Sequence, residues 1–361
     1  MTVEITKRDY SLVGRDSQLA EEHGLANAQW YSCAIPRPRL KDLMQRRDGP
    51  AIRDTLLWFA LLAGTGALGY LTWGTWWTVL PFAAYGVLYG TSSDSRWHES
   101  LHRTAFKTTW MNDALYEIAS FMVLRESVPW RWSHTRHHTD TIIVGRDPEI
   151  AVPRPADLLG ILMSAFTLKA GPKELRRMVL HCLGRLTPAE ATYIPDVERS
   201  KVYRNARIYV LIYLAVIGLA LARRSILPLM FIGLPSFYGA WLSLIFGLTQ
   251  HAGLAEDVLD YRLNCRTVYM NPVCRYLYWN MNYHIEHHMF PMVPFHALPQ
   301  LHEELKADMP KPYSGFWEVY GEIIPTLWRQ RKDPSFYVKR KLPGTATPVT
   351  ASPDAVPQPG Q

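Results

Sequence analysis

Long uncharged stretches alternate with long polar ones along this chain. Residues 1–54 are polar, and Pro36 and Pro38 interrupt any long helix. From Thr55 to Trp73 there is no charge, and after a Gly-Thr turn Trp76 to Ser93 is also uncharged. At ~1.5 Å of rise per residue, about 20 residues cross a hydrocarbon core of roughly 30 Å. The two runs therefore predict a transmembrane hairpin. A second hairpin is predicted later, from Arg207 to Ala222 and, after Arg223-Arg224, from Ser225 to Gln250. Pro228 and Pro235 should kink the last of these, which membranes tolerate when neighbours satisfy the freed backbone groups. Between the hairpins, Ala151 to Ala170 is apolar but short and flanked by charge. It reads as an interfacial helix rather than a fifth span.

The pattern thus gives four spans, about 55–73, 76–93, 207–222 and 225–250. Of the 39 Lys and Arg, 37 fall in residues 1–54, 94–207 and 251–361. The positive-inside rule places those segments, and both termini, in the cytoplasm. The pair Arg223-Arg224 in the far loop is a small departure. The tail from Leu342, rich in Pro, Thr and Ala, reads as disordered.

Composition adds little. Apolar residues make up 48 % and charged residues 20 %, with a mean hydropathy of −0.10, because the polar segments dilute the spans. The net charge of +7 suits a cytoplasmic membrane face, and no nucleic-acid partner is expected. Cys33, Cys182, Cys265 and Cys274 form no CxxC pair, which argues against a disulfide framework or a zinc ribbon. The N-terminus has no apolar core, so no signal peptide is expected. Aromatic residues such as Trp73, Trp76 and Trp77 fit a membrane interface.

The histidines carry the chemistry. Eight of 13 lie in three clusters: His98 and His102 in HESLH, His134, His137 and His138 in HTRHH, and His284, His287 and His288 in HIEHH. Residues three and four apart share a helix face, so each cluster aims its imidazoles at one point. All three lie on the predicted cytoplasmic side and can converge. Neutral imidazole ligates iron, copper, nickel and zinc. Eight are too many for one tetrahedral zinc and suit two metals with octahedral-like shells and open positions. Such a pair can activate dioxygen. Soluble di-iron proteins use Glu-x-x-His pairs instead, and none is placed to do so here.

HxxxH, HxxHH and HxxHH, in that order around two hairpins, resemble the boxes of the membrane fatty-acid desaturase and hydroxylase superfamily. The likeness covers roughly residues 50 to 310, including NMNYHIEHHMFPMVPFHALPQLH from Asn280 to His302. It implies an all-α integral membrane fold, four transmembrane helices in two hairpins with a helical cytosolic cap that carries the boxes. The division expected is a cytosolic segment 1–54, a desaturase-like domain 55–310, a cap extension 311–341 and a tail 342–361. The resemblance also implies two iron ions, O2 as co-substrate, and an external electron donor (ferredoxin, rubredoxin or reductase). A multi-pass location follows, in the plasma membrane if the source is bacterial. His251 matches a ninth ligand often found after the fourth span. In one branch an Asn four residues earlier helps fill a shell through water; here that position is Gly247, and Gln250 is the nearby substitute.

Asp94, Asp140, Asp147 and Glu286 are candidates to orient the ligands, because ligating histidines donate their second N–H to such groups. Glu99 and Arg136 lie off the ligand faces, where their expected role is solvation, and Asn282 can bond locally. His23, His181, His296 and His302 are read as non-ligands, and Trp130 and Trp132 as interface aromatics or tunnel walls. The expected reaction is O2-dependent desaturation of an acyl-lipid or acyl-carrier substrate, from the first box spacing and from His284 at the head of the third. No His-Pro-Gly-Gly haem signature is present. Hydroxylation or ketolation, or desaturation of a small dihydrorhizobitoxine-like compound, shares the same ligands. A metal transporter would need ionisable residues inside the spans, and the four stretches hold none between their ends.

Overall fold

The computed structural model describes residues 8–343, and the tail expectation falls outside them from residue 344 on. Among the described residues the chain is helical, with isolated bridges at Thr267–Tyr283 and Val268–Tyr313 in place of strands. The helices Asp48–Leu71 and Arg199–Ala222 carry the two stretches long and apolar enough to cross a membrane. Only 28 % and 17 % of those stretches are buried inside the protein. Leu56, Leu68, Leu71, Leu211, Leu214 and Leu221 all face outward. Aqueous exposure of so much contiguous apolar surface would be strongly unfavourable.

The second apolar run is one helical rod with a defect. Val79–Gly86 passes through a wide π turn, Val87–Ser92, into Ser93–Leu101. The turn lies against the fourth run, where Thr91 Oγ1 donates to the Gly239 carbonyl at 2.7 Å and accepts from Ser243 N at 3.1 Å. Glycine permits this crossing: a Cβ on Gly239 would sit 1.8 Å from the Gly86 carbonyl oxygen. Small residues let apolar helices approach this closely.

The fourth run is not one helix. It breaks into Leu227–Phe231, Pro235–Tyr238 and Trp241–His251. The kink expected at the prolines is a full interruption, because Gly233 adopts φ +96° and Pro235 lacks an N–H to continue the ladder. The short helix Leu158–Ser164 presents Leu159 and Leu162 outward, as an interfacial segment would.

The polar N-terminal segment folds back over the histidine clusters. Tyr10 Oη donates to Glu256, the Trp30 ring stacks on Tyr261, and Cys33 sits in one core with Met289 and Leu301.

Candidate metal centre

Four elements deliver the histidines to one place. Ser93–Leu101 carries His98 and ends at His102; Ser127–Thr139 carries His134, His137 and His138; Trp241–His251 ends on His251; His284–Met289 carries the third cluster. The nine imidazoles sort into two groups, His98, His102, His134, His138 and His287, and His137, His251, His284 and His288. The second and third clusters each serve both groups. His134 and His138, one turn apart, point one way, while His137 points the other. His284 and His288 repeat the arrangement, and His287 crosses over.

In the first group the Nε2 atoms of His98, His134, His138 and His287 form a closed ring with edges of 2.9, 3.1, 3.2 and 2.9 Å. Nitrogens this close to one another could converge on a single ion. His102 Nε2, in the same group, is buried without a hydrogen-bond partner, so it is free to bind an ion held there. In the second group His284 Nε2 lies 2.9 Å from His251 Nε2 and 3.0 Å from His288 Nε2. The groups abut where the His138 and His288 rings stack 4.3 Å apart. The residues fit metal binding: the first group would offer an ion five imidazole nitrogens and the second four.

The outward nitrogens fix the ring orientations. His134 Nδ1 faces Glu149 at 2.9 Å, His137 Nδ1 faces Asp147 at 2.9 Å, and His251 Nδ1 donates to the Asn264 carbonyl at 2.8 Å. His288 Nδ1 lies 3.2 Å from Thr141 Oγ1. Burial holds His284, His287 and His288 well below the ordinary histidine value, so they are neutral and able to ligate. Burial also works on His137, but the Asp147 carboxylate outweighs it and shifts that ring upward.

Of the four carboxylates flagged by position, only Asp147 touches a clustered histidine. Asp94 pairs with Arg125, and Asp140 with Arg136 and Arg146. Glu286 points away from the groups, accepting from Thr267 Oγ1 at 2.6 Å and His302 Nδ1 at 2.5 Å. Glu99 does not solvate the site; it is fully buried and accepts from Phe295 N at 2.9 Å. Asn282 does not bond locally: its Nδ2 donates to the Val268 carbonyl, 14 residues earlier, at 2.8 Å, and Gln250 Nε2 donates to Tyr278 Oη at 2.6 Å. Gly247 faces open space. Glu149, Asn264 and Thr141 were missed. Glu149 follows His134 by 15 residues through a loop, and no local spacing signals such a contact.

His181 and His302 lie outside both groups. His181 bridges Glu126 and Glu190, while His302 links Glu286 to Tyr269. His296 is half-buried and His23 exposed. Trp130 donates to Glu174 at 3.2 Å and packs beside Trp97, whose ring is 5.4 Å from His134.

Comparison with curated proteins returns no match. The fatty acid desaturase family matches residues 72–320, which span every clustered histidine. The chain belongs to the fatty acid desaturase family and is an oxidoreductase of that kind.

Proposed function

We propose that this protein is an O2-dependent membrane desaturase of fatty acyl chains built around two irons. The observation that carries the reading is the sorting of nine imidazoles into two abutting groups. His98, His102, His134, His138 and His287 would hold one iron, and His137, His251, His284 and His288 the other. Iron bound there would supply the redox chemistry that reduces O2 while two hydrogens leave adjacent carbons. Glu149, Asp147 and the Asn264 carbonyl hold His134, His137 and His251 with Nε2 turned inward, each fixing the proton on Nδ1. The buried rings of Trp97 and Tyr261 pack beside His134 and His288 and help to exclude water.

The proposed setting is a membrane crossed four times, with both termini and the boxes cytoplasmic. The outward apolar faces of Asp48–Leu71 and Arg199–Ala222 support it, as does the Lys and Arg distribution. The close Gly86–Gly239 crossing between the second and fourth runs is of the kind found between spans. The acyl substrate is the class the family name carries, and the reaction needs an external electron donor.

Lipid profiling of cells expressing the protein, against a His288→Ala control, tests the reading. A new double bond absent from the control is expected. A new hydroxyl would assign the sister reaction, and zinc without iron in the purified protein would end the di-iron reading.

A further inference from the structure

The centre is enclosed. Six of its nine histidines are buried and the other three are only partly exposed. Desaturation of a CH–CH bond gives up two electrons and two protons, whereas reduction of O2 to two waters takes four of each. The remaining two electrons must cross the protein shell from a one-electron carrier, and the remaining two protons come from water.

We propose that these electrons enter through Trp30 and Tyr261. The inference rests on the di-iron desaturase reading. The two rings stack face to face, with centroids 4.4 Å apart and planes 9° from parallel. The inner ring, Tyr261, lies 5.5 Å from His288 of the second group. Its Oη donates to the His138 carbonyl at 3.0 Å, which ties it to a residue of the first group as well. The outer ring, Trp30, is only partly buried and donates through Nε1 to the Thr139 carbonyl at 3.0 Å. Tunnelling decays exponentially with distance and is favoured by π contacts and hydrogen bonds over gaps. This pair offers both, ending on the seam where His138 and His288 stack.

Thr139 also lines a shallow polar groove of about 260 Å³ with Asn27, Trp132, Arg136 and Arg146. A small one-electron carrier protein seated on that groove would lie beside Trp30. Each transfer oxidises the carrier by one electron and reduces the iron pair by one, and both rings end unchanged.

The other aromatic route is poorer. Trp97 and Trp130 meet edge to face at 5.9 Å. The Arg125 guanidinium also sits over both rings, at 4.2 and 4.7 Å, and Arg177 lies 5.9 Å from Trp130.

The test uses full-length, iron-loaded protein in nanodiscs, with reduced [2Fe–2S] ferredoxin as carrier and dithionite as small reductant. Anaerobic stopped-flow follows loss of the ferric absorption. Trp30→Leu and Tyr261→Leu should slow ferredoxin-driven reduction by roughly tenfold or more. Trp30→Phe should stay near wild type, and iron content, melting temperature and dithionite rates should hold in both Trp30 variants. Because Trp30 is peripheral, its pair of variants decides the matter if Tyr261→Leu misfolds. Equal ferredoxin rates in Trp30→Leu and wild type, with iron intact, overturn the path alone. Wild-type protein without reducible iron overturns the di-iron reading and the path with it.

Discussion

His134 Nδ1 meets the Glu149 carboxylate at 2.9 Å, and the same carboxylate accepts from Ser133 Oγ at 2.8 Å through its other oxygen. Glu149 thereby sets the direction of an imidazole whose Nε2 stands between those of His98 and His138. Such partners hold the tautomer and raise the basicity of a ligand. Glu149→Gln keeps the size but loses the charge, and its amide can turn a donor towards His134. Metal affinity should fall by roughly 10- to 100-fold, measured by competition with a chelator. Unchanged affinity would remove Glu149 from the support of the site.

The two groups can be emptied separately. His102 belongs to the five-histidine group and His251 to the four-histidine group. Wild type should hold about two irons per chain, and either His102→Ala or His251→Ala should drop this to about one. Elemental analysis of purified protein gives the count, and both variants should lose turnover. Full iron in either variant would exclude that histidine as a ligand.

The ligand pattern was legible because it is local. One turn separates His134 from His138 and His284 from His288, so spacing alone shows a shared face. The assignment of His137 and His287 to opposite groups was not legible, since it depends on how two helices meet. The carboxylate partners Asp147 and Glu149 come from one loop after the second box, and only its folding back decides that both reach histidines. The first and third apolar runs became long outward-facing helices. The fourth announced its prolines, but the role of Gly239 depends on a contact with Gly86, over 150 residues away in the sequence. Residues 1–54 looked merely polar; Trp30 on Tyr261 and Tyr10 on Glu256 are tertiary pairings that no periodicity encodes.

The Gly86–Gly239 crossing makes a steric prediction. Backbone cannot yield as a flexible side chain can, so Gly239→Ala forces the two runs apart. The cost should be on the order of 1–3 kcal/mol, read as a lower melting temperature in detergent. Displacement should also loosen Thr91 from Gly239 and disturb the helix that carries His98. Gly218, on a helix with nothing near its missing side chain, is the control: Gly218→Ala should change stability by less than about 1 kcal/mol. Equal melting temperatures for Gly239→Ala and wild type would mean the crossing is not held this tightly.

The last prediction concerns pH and the buried His181. Its Nδ1 lies 2.6 Å from Glu126 and its Nε2 3.1 Å from Glu190, which also pairs with Arg177. Burial disfavours the imidazolium, but hydrogen bonds and charge from the two carboxylates outweigh it and raise His181 to about 9. Burial likewise opposes ionisation of Glu190, yet His181 and Arg177 hold it far below the ordinary carboxylate value. A raised histidine contributes stability that is complete below its unfolded value, about 6.5, and is lost as pH climbs through about 9. A depressed glutamate contributes stability present above about 4.5 and lost as pH falls towards its folded value. Melting temperature should therefore decline on both sides of a plateau near pH 5 to 6.5. Removing the cation from between two buried carboxylates should cost roughly 3 kcal/mol, so His181→Gln should lower the plateau and flatten the alkaline limb. An alkaline limb of unchanged slope in His181→Gln would assign that limb to other groups.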